Sequence, residues 1–315
     1  MRADDAGTAP PLAKVLAAFA AVYVLWGSTY LAIRFAIETL PPFLMASARF
    51  LLAGAALYAF VRARGTPRPQ RVHWRSAAVV GGLLLFVGNG GVVWAERTVP
   101  SGVVALLVAM VPLWMTLLEW LRPGGRRPGR RVVLGLAVGF AGMVLLVGPL
   151  EIGGAGGVDP AGAAVVLVAT LAWAVGSIYS RSAQLPDDPL LATGMEMIAG
   201  GVLLAAAGLA RGELGAWDPA AVSTASVLAF AYLVTFGSLV GFTAYVWLLR
   251  VSTPARVSTY AYVNPVVAVL LGWMIAGEPL NARILGAAAI IVVAVAAITG
   301  RGRRRAEAAP EAEPA

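Results

Sequence analysis

The sequence predicts an all-α integral membrane protein whose ten transmembrane helices form two inverted five-helix repeats. Three observations predict it: a composition too apolar for a soluble domain, apolar runs of membrane length recurring along the chain, and a match of the chain's second half to its first.

Of the 315 residues, 59% are hydrophobic and 13% charged, and the mean hydropathy is +0.80. A soluble domain of this size needs more polar surface to cover its core. The net charge of +8 falls in short clusters between apolar runs, not along one face, so it marks membrane topology and excludes a nucleic-acid partner. With no cysteine, one histidine (His73) and one lysine (Lys14), the chain has no disulfide framework, thiolate nucleophile, His-rich metal site or Ser-His-Asp arrangement. No cofactor and no enzymatic activity are expected.

A bilayer core of about 30 Å takes roughly 20 apolar residues per helix. Windows of that length lie near 12–33, 42–62, 76–95, 101–121, 131–148, 161–181, 190–210, 225–249, 256–276 and 283–300. The first follows a polar start without a clear cleavage site and is read as an uncleaved span. Placing the N-terminus inside puts nineteen basic residues in cytoplasmic segments: Arg2 and Lys14, Arg62, Arg64, Arg68, Arg71 and Arg75, Arg122, Arg126, Arg127, Arg130 and Arg131, Arg181, Arg250 and Arg256, and Arg301, Arg303, Arg304 and Arg305. The outer segments keep Arg34, Arg97, Arg211 and Arg283. That asymmetry predicts a multi-pass plasma (inner) membrane protein with both termini cytoplasmic. The tail, 301–315, is low-complexity and is expected to be disordered.

Shifting the chain by 147 residues superposes Trp26 on Trp173, Arg34 on Arg181, Pro42 on Pro189 and Gly54 on Gly201; a shift of 153 places Arg97 on Arg250, Pro112 on Pro265 and Trp120 on Trp273. The repeats are therefore read as 1–148 and 158–300. Each holds five spans, an odd number, so the second must enter the membrane upside down relative to the first, a design typical of transporters.

The segments VLWGSTYLAIRFAIETLPP (Val24 to Pro42), NGGVVWAERTVPSGVVALLVAMVPLWMTLLEWL (Asn89 to Leu121) and STYAYVNPVVAVLLGWMIAGEPLNARILGAAAII (Ser258 to Ile291) resemble the EamA-type branch of the drug/metabolite transporter superfamily. The resemblance implies ten helices, a central cavity shared by the two halves, and alternating-access movement of small metabolites, often outward. The second half's GEPL, Gly277 to Leu280, has no acidic counterpart in the first, which reads RPGGRRPGR.

Arg49 stands alone as a guanidinium inside the second span, where an arginine costs about 2.5 to 3.5 kcal/mol on insertion scales. Its mate at shift 147 is Glu196, the one carboxylate inside the seventh span. Each lies seven residues past its paired proline, about 10 Å of helix rise, on spans entering from opposite sides. Direct pairing is therefore disfavoured. Two readings stay open: Arg49 meets a substrate anion and Glu196 an ammonium group or a coupling proton in a wet cavity, or both fix helix packing through carbonyls, hydroxyls or Asn89.

The other candidate substrate-binding residues are Trp26 and Trp173, symmetry mates in mid-span, with Ser28, Thr29, Asn89, Tyr245, Tyr260 and Asn264. Pro112 and Pro265 mark disrupted helix geometry, where transporters place their sites. For each of these, helix packing is the plainer alternative. Glu96 and Glu119 sit near span ends, where solvation makes them weak coupling candidates. The functional expectation is a secondary-active transporter, an exporter of small amphipathic metabolites such as amino acids, in the lipid bilayer. A passive channel or a membrane assembly factor is the alternative. No P-loop pattern is present, so a proton or the substrate gradient supplies the energy; oligomeric state is not encoded.

Overall fold

A computed structural model describes residues 10–122, 129–147, 158–252, 257 and 260–299, and these are helical without a strand. The expected tail, 301–315, most of the glycine-rich link before Pro160, and the side chains of Arg126, Arg127, Arg131, Arg250, Arg256 and Tyr262 lie outside the described residues.

The described residues form α1 (Leu12–Ala36), α2 (Pro42–Ala63), α3 (Arg71–Ala95), α4 (Ser101–Val108 and Val111–Leu121), α5 (Arg130–Val147), α6 (Pro160–Ser180), α7 (Pro189–Ala210), α8 (Thr224–Tyr232, Leu233–Val240 and Gly241–Val251), α9 (Tyr260–Ala276) and α10 (Ala282–Thr299). Seven of them, α1 to α4 and α6 to α8, are long and apolar enough to cross a membrane. Shorter apolar stretches, Val132–Leu146, Val263–Ala276 and Ala282–Ala296, stand where the fifth, ninth and tenth spans are expected. Large apolar side chains such as Leu52, Phe60, Leu134, Val168, Val202 and Leu228 point outward and exposed, which suits a hydrocarbon surrounding.

Helix starts follow from capping chemistry, since each helix N-terminus has backbone N–H groups without an intrahelical acceptor. Asp159 accepts from the N–H groups of Ala161 and Gly162 at the start of α6, and Asp188 from those of Leu190 and Leu191 at the start of α7. Proline follows each aspartate at the first helical position. The starts of α2 and α4 follow Pro41 and Pro100, which offer no side-chain acceptor. Remote carboxylates take over. Glu213 accepts from Phe43 and Leu44 at 3.2 and 2.9 Å, and Glu278 accepts from Ser101 and Gly102 at 2.7 and 3.0 Å. Gly277, at φ 64°, ends α9 in the left-handed conformation and turns Glu278 back toward α4.

The expected disruptions differ at the two prolines. At Pro112 the fourth helix is interrupted between Val108 and Val111, whereas α9 runs through Pro265. Two further distortions were not foreseen as such: Gly82–Asn89 in α3 and Leu233–Val240 in α8 are π-helical, eight residues each and 151 positions apart. Such wide turns inside α-helices concentrate at functional sites.

The helices pack as α2 on α7 and α5 on α10, with α1 against α8 and α9, α6 against α3 and α4, α3 on α7, α2 on α8, and α4 on α9. At the α2–α7 crossing, small residues bring the backbones together: Ser47 Oγ donates to the Gly201 carbonyl at 2.9 Å, and a Cβ on Gly54 would stand 2.8 Å from the Gly194 carbonyl.

Candidate functional site

A cavity of about 360 Å³ lies between the helices. One wall is aromatic. Trp26 of α1 sits among Tyr245 at 5.1 Å and Phe242 and Tyr260 at 5.2 Å between ring centroids, and its indole N–H donates to the Gly237 carbonyl in the π-helical part of α8 at 3.2 Å. Glycine is required there, because a Cβ on Gly241 would come within 2.5 Å of that indole nitrogen. Across the cavity Trp173 of α6 packs on the π-helical part of α3, where a Cβ on Gly88 would stand 3.0 Å from its ring.

Arg49 lines the cavity and is 4% exposed. Its Nε donates to Ser238 Oγ at 2.9 Å, again in the π-helical turn of α8, and its guanidinium carbon lies 4.9 Å from the centre of the Phe50 ring. One terminal nitrogen, Nη1, is buried without a protein partner. Asn89 Oδ1, at the end of the α3 π-helical turn and also on the cavity wall, is buried and unpartnered as well. Two residues of the cavity wall, Arg49 and Asn89, thus each keep one buried polar atom without a protein partner, a cationic donor and a neutral acceptor.

The cavity reaches the surface at Glu119 and Arg181, whose side chains meet at 2.6 Å and are 43% and 60% exposed. An ion pair so exposed contributes about 0 to 1 kcal/mol, weak enough to part and re-form. The cavity lining stops short of the opposite end. There Arg34 Nη1 donates to the Glu96 carbonyl at 2.8 Å, and the Glu96 side chain is fully buried just past the end of α3. Burial pushes the Glu96 carboxyl well above the usual carboxylate range; the nearby Glu278 pushes it further, and Arg34 and Arg49 pull it back.

The sequence matches the EamA-like transporter family twice, over residues 13–148 and again over 160–300. The chain belongs to that family. It is a membrane transporter. The "Uncharacterized inner membrane transporter YedA" of Escherichia coli (strain K12) is 40% identical to this EamA-like chain, the alignment covering 91% of each. "Protein PecM" of Dickeya dadantii (strain 3937) is 27% identical over 82% of each chain. A solved crystal structure, 24% identical, has the same fold with a TM-score of 0.63, covering 93% of this EamA-like chain and 99% of its own.

Of the residues singled out in the sequence, Trp26, Thr29, Arg49, Asn89, Trp173, Tyr260 and Asn264 line the cavity of this EamA-like transporter, together with Pro112 and Pro265. Three stand elsewhere. Tyr245 backs the wall, stacked behind Trp26 and Tyr260. Ser28 is off the lining because its hydroxyl is engaged by the Val24 carbonyl and by Tyr232 Oη at 2.6 Å. Glu196 is off it too, because its stretch of α7 presses on α3, with the Glu196 carbonyl against Gly81. Arg49 takes Ser238 as its hydrogen-bond partner. Sequence reasoning passed over the Glu119–Arg181 pair, although the Arg34–Arg181 match already marked that arginine. It also took Glu96 to be solvated at a span end, and nothing in the local sequence signals its burial.

Proposed function

We propose that the chain is a secondary carrier, an exporter of small amphipathic metabolites such as amino acids, working by alternating access around this cavity. The observation that carries the reading is the pair of unsatisfied buried groups between aromatic walls: Arg49 Nη1 suits a substrate carboxylate, Asn89 Oδ1 suits an ammonium group, and Trp26, Trp173 and Tyr260 suit an apolar side chain. Thr29 and Asn264 complete the wall as further candidate contacts.

Alternating access needs two halves able to rock on each other, and the inverted repeat of 1–148 and 158–300 is the arrangement we infer. The packing supports it. Exchanging each helix for the one five places along converts α1–α8 into α6–α3, α1–α9 into α6–α4 and α2–α8 into α7–α3, and returns α2–α7, α4–α9 and α5–α10 to themselves. At the α2–α7 crossing, Ser47 meets Gly201 while Gly54 meets Gly194, and 47 and 54 are the positions 147 before 194 and 201. Such reciprocal contacts are the mark of a two-fold relation.

In liposomes reconstituted with the purified protein and loaded with unlabelled L-amino acids, external radiolabelled L-amino acids are expected to accumulate transiently by counterflow. An open channel gives simple equilibration with no overshoot, and that result overturns the carrier reading. With both termini cytoplasmic, the Glu119–Arg181 mouth faces the cytoplasm. A cysteine introduced at Ala220, in a chain free of cysteine, is then expected to react with an impermeant thiol reagent from the outer side only; reaction from the cytoplasmic side alone reverses the topology.

A further inference from the structure

Both carboxylate oxygens of Glu96 are buried and have no hydrogen-bond donor among the described residues. Leaving an ionised carboxylate in that state is costly, and a group so placed is stable only if it is neutral or is answered by charge. The surrounding charged groups give it no hydrogen bond. Arg34, from α1, spends Nη1 on the Glu96 backbone carbonyl; Arg49, from α2, spends Nε on Ser238; Glu278, from the segment after α9, adds a like charge while holding the start of α4; Tyr30, from α1, is a half-buried phenol nearby.

We propose that Glu96 is a proton-binding site of this transporter, its carboxyl protonated while the end of the bundle opposite the Glu119–Arg181 mouth is shut, and deprotonated to water when that end opens. The step is Glu–COOH giving Glu–COO⁻ and H⁺, the O–H electron pair remaining on the carboxylate. Arg49 links this site to the cavity. Among the described residues it is the one cation that both lines the cavity and lies within electrostatic range of Glu96, and its unpaired N–H is free to turn to a substrate anion or to an ionised Glu96. An ionised Glu96 and a substrate anion thereby compete for one guanidinium, so protonation of Glu96 favours binding of the anion, which couples their movements.

This inference rests on the carrier reading, and two measurements separate them. Infrared spectra of the protein in liposomes at neutral pH are expected to show a protonated-carboxyl band that loses intensity in Glu96→Gln, shifts in Glu96→Asp and persists in Glu196→Gln. An undiminished band in Glu96→Gln overturns the proposal; if that variant does not fold, a band unmoved in Glu96→Asp overturns it equally, as does a wild type with no protonated carboxyl. With the radiolabelled L-amino acid mixture as probe, a one-unit pH gradient is expected to drive up to about tenfold accumulation in the wild type at one proton per substrate, and about none beyond equilibration in Glu96→Gln. Gradient-driven accumulation that survives the substitution overturns the proposal. Absent counterflow in the wild type sinks the carrier reading, whereas the infrared result stands or falls by itself.

Discussion

Gly81→Ala is expected to cost this protein its folded state or much of its thermal stability, from the addition of one methyl group. A Cβ at this position would press into the carbonyl oxygen of Glu196, and would stand 3.1 Å from both the Glu196 carbonyl carbon and the Gly200 amide nitrogen. All three are backbone atoms, so no side chain can swing away; α3 and α7 must separate. Overpacking costs about 1–3 kcal/mol where side chains can yield. Here the cost falls at or above the upper end, on the order of 10 °C in melting temperature. The separation would also lose the close approach on the other strand of the contact, where a Cβ on Gly200 would lie 2.9 Å from the Gly81 carbonyl. Gly286 supplies the contrast. It lies in α10 with nothing within 4 Å of an added Cβ, so Gly286→Ala gains helix propensity, up to about 1 kcal/mol. Melting of the two variants in detergent, followed by monodispersity, checks the pair. Equal melting temperatures would mean that the α3–α7 contact does not set stability.

The fold was legible where physics acts through long apolar runs and strong punctuation. Pro42, Pro160 and Pro189 open helices within a residue of the expected starts, and Asp159 and Asp188 cap theirs through their own side chains. Where the cap comes from elsewhere in the chain, sequence alone had no access to it. Glu213 and Glu278 read as loop residues, and only the fold brings them to the starts of α2 and α4. The same limit applies to the site. Trp26, Arg49, Asn89 and Trp173 were legible because each is an unusual residue at membrane depth, and the cavity is where such groups find a use. Glu196 was equally unusual, yet it stands away from the cavity, because rotation about a helix axis decides which wall a residue joins and the sequence does not fix that rotation when apolar residues occupy every face. The π-helical turns were invisible for a related reason. Glycines allow close approach, but whether a helix answers with tight packing or a wide turn depends on the partner, here Trp173 against Gly88 in α3 and Trp26 on Gly237 in α8.

Arg49→Ala is expected to weaken transport of carboxylate substrates severely while leaving the protein in the membrane. The reason lies in how the guanidinium is divided. Its Nε is committed to Ser238 and fixes the orientation of the head group, while Nη1 of this cavity-lining residue is buried with no protein partner. A charge-assisted hydrogen bond is worth about 1.5–3 kcal/mol, so losing it raises KM for a carboxylate roughly ten- to a hundredfold. Arg49→Lys keeps the charge but loses the planar fork that lets one group bond Ser238 and substrate together, and is expected to fall between. The architectural reading predicts a different pattern, with Arg49→Ala lowering stability and affecting all substrates alike. Counterflow with an amino acid and with the amine that lacks its carboxylate separates the two. If Arg49 binds the anionic group, the substitution penalises the acid and spares the amine, because the amine never used Nη1. If both are lost in proportion, Arg49 holds helices α2 and α8 together, and the cavity's anionic specificity has to be sought at Arg181, the other guanidinium on its wall.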